Sequence, residues 1–138
     1  MTLAWMAEGT KITGVIFSDL GRGSSFMALD WVQKRLRESL GFSPYPATLN
    51  LKLEAETDLA SWQEVQARGA GIDVVPPDSS FCLARCFSVE IEGKVPGAVL
   101  RPVVDGYPPD KLELIAPVRL KDELEVRDGD RITLEFLG

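Results

Sequence analysis

The sequence predicts a mainly β domain, about six strands closing into a small barrel with one or two helices, and three observations lead there. Stretches rich in β-branched and aromatic residues recur between turn signals, while a single segment has a well-delimited helical stripe. The chain has 138 residues, 45% of them hydrophobic, enough to bury one core and short for two domains. Closure is expected because an open sheet would leave edge strands with unpaired backbone groups, which a barrel abolishes.

Lys11 to Ser18 reads as the first strand and ends in the glycine turn Asp19-Leu20-Gly21-Arg22-Gly23. Asp30 is expected to cap a helix from Trp31 to about Leu40, where Trp31, Val32, Leu36 and Leu40 form an apolar stripe and Gly41 stops it. The prolines of Phe42-Ser43-Pro44-Tyr45-Pro46 remove donors and fix φ, so the chain crosses in extended form into a strand from Thr48 to Leu53. Asp58 to about Ala67 is a second helix, ended by Gly69-Ala70-Gly71. Phe81 to Glu92 and Val95 to Pro102 read as a hairpin turning at Glu92-Gly93-Lys94, and Leu112 to Ala116 as the next strand. Leu120 to Leu124 is a short helical turn, and Asp128-Gly129-Asp130 turns into a last strand, Arg131 to Phe136.

Fifteen Lys and Arg against 21 Asp and Glu give a formal charge of -6, which repels nucleic acid and anionic membranes but leaves room for a small phosphorylated ligand in a local positive pocket. Histidine is absent, so proton transfer falls to carboxylates, Lys, Tyr or Cys, and a metal would be a hard, oxygen-bound one. Cys82 and Cys86 fall in a stretch that reads as strand, which would hold them about 13 Å apart, too far for a disulfide, so both are expected reduced and buried. The start carries Glu8 and no basic region, and no apolar run approaches the ~20 residues of a membrane span. A cytoplasmic protein is expected, a monomer or small homo-oligomer.

In Thr48 to Leu53, Leu49, Leu51 and Leu53 share one face and Thr48, Asn50 and Lys52 the other. An ordinary amphipathic strand has the same alternation. The hydroxyl and the amide oxygen in a row nevertheless suit Mg²⁺, which takes few protein oxygens and completes its shell with water and phosphate. Gly21-x-Gly23 could let backbone N–H groups approach a phosphate, with Arg22 adding a cation, although a plain turn and a solvated arginine account for both. Glu113, flanked by Leu112 and Leu114, is a candidate base if partial burial raises its pKa. Asp128 and Asp130 are read as turn residues and Trp31 as core.

In order and spacing, Gly14-Val15-Ile16-Phe17-Ser18-Asp19-Leu20-Gly21-Arg22-Gly23, the helix, Leu40-Gly41-Phe42-Ser43-Pro44-Tyr45-Pro46-Ala47-Thr48-Leu49-Asn50-Leu51-Lys52-Leu53, then Leu112-Glu113-Leu114-Ile115-Ala116-Pro117 and Leu120, ending in Asp128-Gly129-Asp130, resembles the archaeal-type CTP-dependent riboflavin kinases. The likeness spans nearly the whole chain. It implies a six-stranded cradle-loop barrel of the riboflavin-kinase type that transfers the terminal phosphoryl group of CTP to the ribityl 5′-hydroxyl of riboflavin, giving FMN and CDP. By position, Thr48 and Asn50 would hold Mg²⁺, Ser18, Asp19, Leu20, Gly21, Arg22 and Gly23 would cover the nucleotide phosphates, and Glu113 would be the base. Phosphoryl transfer asks mainly for positioning and charge neutralisation, so this set suffices without histidine.

The chain departs from the family pattern at Asp19, Arg22 and Ala47, and in Val103-Val104-Asp105-Gly106-Tyr107-Pro108-Pro109, where relatives carry a basic segment with Thr, Tyr or His. Those departures keep a second reading open, a non-catalytic module that binds or senses a flavin or nucleotide. A DNA-binding barrel draws only on the Asp128-Gly129-Asp130 strand entry, and the charge of -6 argues against it.

Overall fold

The computed structural model describes residues 9–18, 26–68 and 71–137. Among the described residues, seven strands and three helices run in the order β1 (Lys11–Phe17), α1 (Asp30–Leu40), β2 (Leu49–Lys52), α2 (Glu56–Arg68), β3 (Ile72–Val74), β4 (Ala84–Ile91), β5 (Val95–Pro102), β6 (Lys111–Ile115), α3 (Leu120–Glu123) and β7 (Arg131–Phe136). All neighbouring strands pair antiparallel in the order β3-β4-β5-β6-β2-β1-β7, and a β4–β7 pairing closes the barrel. Six strands form the closed wall. Residues 84–86 of β4 pair with the extra strand β3 and residues 89–91 with β7.

Alternation produces two apolar layers from one sheet. Ile12 and Ile16 of β1, Leu49 and Leu51 of β2, Val99 of β5, Leu112 and Leu114 of β6 and Ile132, Leu134 and Phe136 of β7 fill the interior. Trp62 of α2 joins them, its ring 5.2 Å from Phe87 and 5.8 Å from Phe136. On the outside, Val32 and Leu36 of α1, with Met27, cover Cys86, Ala98, Leu100 and Ile115. The wall packs tightly at Gly97, where a Cβ would lie 2.5 Å from the Ile115 carbonyl oxygen and 2.7 Å from Ile91 Cδ1. Only glycine fits that spot.

Several boundaries differ from expectation for identifiable reasons. Asp30 is the first helical residue of α1 rather than its cap: Leu29 holds the extended capping conformation, and no side chain caps the helix. Gly41 ends α1 as expected, at φ 82° with its N–H donating to the Arg37 carbonyl. β3 escaped the sequence reading because three residues are too few to display a period, and it exists by pairing with β4. β4 begins at Ala84, so Cys82 lies outside the strand and is exposed rather than buried as expected; Cys86 is buried, and both are free. Trp31 packs on the outer layer, edge-on to Phe26 and 5.2 Å from Phe81, as its core assignment required. Among the described residues, no helix is long and apolar enough to cross a membrane.

Candidate functional site

One transverse row of the barrel organises the site. Cys86 pairs with Leu100, Leu100 with Glu113, Glu113 with Asn50 and Asn50 with Phe17, so these side chains stand side by side on the outer face of successive strands. Cys86 and Leu100 lie buried under α1, whereas Glu113 and Asn50 are only half-buried. The helix thus stops covering the wall where its polar residues begin. The next outward pair along β2 and β6 is Lys52 opposite Lys111, two like charges that would repel unless an anion or solvent separates them.

Asn50 Oδ1 is shut off from solvent and has no hydrogen-bond partner among the described residues. Such an atom costs stability as it stands, and it is where a bound cation would find a ready oxygen. Thr48 does not lie in the strand as expected: β2 starts at Leu49, and Thr48 sits half-buried at its mouth. The crossing before it is pinned by the Tyr45 N–H donating to the Ala116 carbonyl, 2.7 Å, which ties it to the end of β6. Thr48 borders a cleft of about 140 Å³ lined also by Tyr45, Ala47, Val118, Arg119 and Lys121. Sequence reasoning missed this cleft. Its signal was the pair of cations, Arg119 and Lys121, flanking Leu120 shortly after Pro117.

Ser18 lies at the exit of β1, and its Oγ donates to Asp128 Oδ2 at 2.5 Å. Lys121 Nζ donates to Asp128 Oδ1 at 3.1 Å, so the Ser18 end of β1 is linked to the wall of the cleft. The Ser18 hydroxyl, and secondarily Lys121, holds the Asp128 carboxyl below the usual carboxylate range. Asp128-Gly129-Asp130 is a turn, as expected: the Gly129 N–H donates to the Ile16 carbonyl and the Ile16 N–H to that of Asp130. The other loop candidates, Asp19, Leu20, Gly21, Arg22 and Gly23, lie outside the described residues.

Glu113 is half-buried on the outer face, opposite to its flanking Leu112 and Leu114, which point into the barrel, and its Oε2 accepts a 2.5 Å hydrogen bond from the Tyr107 hydroxyl. The Tyr107 ring faces the Arg101 guanidinium at 5.4 Å and the Lys111 ammonium at 5.6 Å. The 103–109 segment, which in sequence shows only divergence, thus delivers a side chain to the candidate base. Cys86 is no competing nucleophile, since burial pushes its thiol up to about 12. Among the described residues no three acidic or thiol side chains converge on a metal site, so a cation here would rest on neutral oxygens and its ligand's phosphates.

The family model described as "CTP-dep_RFKase: Domain of unknown function DUF120" matches residues 16–136, which include every described site residue above. The chain is 40% identical over 126 residues to a riboflavin kinase of Aeropyrum pernix, covering 90% of this chain and 93% of that protein. It is 38% identical over 132 residues to a riboflavin kinase of Archaeoglobus fulgidus and 36% over 124 residues to one of Methanocella arvoryzae. In those two the match covers 94% and 88% of this chain but 56% of each relative, so the chain spans little more than half their length. A barrel with this wall, matched over nearly all its strands, makes the chain a member of the CTP-dependent riboflavin kinase family.

Proposed function

We propose that the protein transfers the γ-phosphoryl group of CTP to the 5′-hydroxyl of riboflavin, with Mg²⁺ held by Thr48 and Asn50. The observation that carries this reading is the pairing of Asn50, its Oδ1 unpartnered among the described residues, with Glu113 on one outward row. The nucleoside end would sit in the cleft between Thr48 and Lys121. The phosphates then run toward Asn50, and Ser18 at the end of β1 borders them. The cation would neutralise phosphate charge as it develops.

Glu113 accepts the proton of the acceptor hydroxyl as its oxygen bonds to the γ-phosphorus. The bond from that phosphorus to the β-phosphate oxygen breaks, and CDP leaves with the electron pair. Lys52 and Lys111, one step along the strands, supply positive charge to the acceptor side, where the phosphoryl group arrives. FMN and CDP are therefore the expected products.

The test is incubation with CTP, riboflavin and MgCl₂, with FMN followed by chromatography and repeated with EDTA and with Asn50→Ala. Turnover that requires Mg²⁺ and Asn50 supports the reading, and absence of turnover with every nucleoside triphosphate rejects it. The altered 103–109 segment favours one alternative, a flavin- or nucleotide-binding module without turnover. Binding of riboflavin or CDP by a protein that makes no FMN would establish it.

A further inference from the structure

Resting on the assignment of Glu113 as base, we infer that Tyr107 is a positioning residue that fixes the Glu113 carboxylate so that one oxygen faces the acceptor hydroxyl. A glutamate on a sheet surface has three side-chain torsions, and in an unrestrained rotamer it rarely points at a reacting proton. The Tyr107 hydroxyl takes up Oε2 at 2.5 Å. A carboxylate has a second acceptor oxygen, and anchoring Oε2 orients Oε1 for the incoming hydroxyl. Tyr107 is itself held: Arg101 and Lys111 lie within 5.4 and 5.6 Å of its ring centre. Its segment is tied at the start by the Val103 N–H donating to the Leu83 carbonyl at 2.8 Å and at the end by the Lys111 N–H donating to that of Pro108 at 3.3 Å. The segment between β5 and β6 thus contributes to the reaction through the base.

Tyr107→Phe removes the hydroxyl and keeps the ring beside its two cations. The expected result is a roughly tenfold lower kcat with the KM for CTP unchanged, because the donor's binding groups are untouched. In a Glu113→Gln background the same substitution should cost nothing further, since the carboxylate it orients is gone. An unchanged kcat in Tyr107→Phe, a faster one, or an equal loss with and without Glu113 would overturn the inference while leaving the base assignment standing. Full activity in Glu113→Gln alone would instead remove the base assignment, and this inference with it.

Discussion

Asn50 exposes the tension between stability and function at the scale of one side chain. A buried acceptor without a partner costs about 1–3 kcal/mol, so replacing it should not weaken the folded protein. Asn50→Ala is expected to abolish turnover and to leave the ligand-free thermal midpoint equal to or above that of the parent in a calorimetric scan. The parent should gain midpoint temperature on addition of CDP with Mg²⁺ and the variant should not. The alternation of Thr48 to Leu53 made the outward polar face legible in the sequence, but not that Asn50 would lack a partner or that Tyr107 would reach Glu113. Those depend on which strands become neighbours, and β2 and β6 lie about 60 residues apart in the chain. Cys86 gives a second prediction at this scale. Its thiol rises from 9.0 to about 12 on burial, so between those values the unfolded chain loses a proton that the folded one keeps. Stability should therefore fall as pH rises from about 9, and urea titrations at pH 8 and 10 should show a smaller drop in Cys86→Ala than in the parent. Under native conditions at neutral pH a thiol reagent should label Cys82 alone.

Among the elements, those with their own punctuation were read correctly and those defined by partners were not. β5 and β7 match the residues expected, because proline and glycine turns bound them and their inward residues alternate. β3 has no such signal. The start of α1 was misplaced by one residue because Asp30 is equally suited to a cap and to a first turn, where its charge also favours the helix dipole. Gly97 illustrates how one element is shaped by another: it brings β5 against the last carbonyl of β6, and no local pattern announces it. Gly97→Ala should destabilise by about 2–3 kcal/mol in chemical denaturation, since the obstruction is backbone and cannot rotate away. At Gly41, by contrast, a Cβ meets nothing within 4 Å, so an alanine there bears only the strain of φ 82° and should cost about 1 kcal/mol.

For the molecule as a whole, closure rests on its last strand. β7 pairs with β1 over five positions and with β4 over three, and it buries Ile132, Leu134 and Phe136. Three such side chains contribute about 5–9 kcal/mol, comparable to the net stability of a domain this size. Truncation after Asp130 should therefore leave a chain without a cooperative thermal transition or dispersed amide resonances. Closure also fixes the geometry of the proposed site. Asn50 and Glu113 are register partners, so the gap between the proposed cation ligand and the proposed base is the spacing of adjacent antiparallel strands. Within a closed barrel a one-residue slip would turn every side chain of a strand to the opposite face. That distance is therefore inherited with the fold, whereas the 103–109 connection is free to change in length and sequence so long as a hydroxyl such as that of Tyr107 still reaches Glu113.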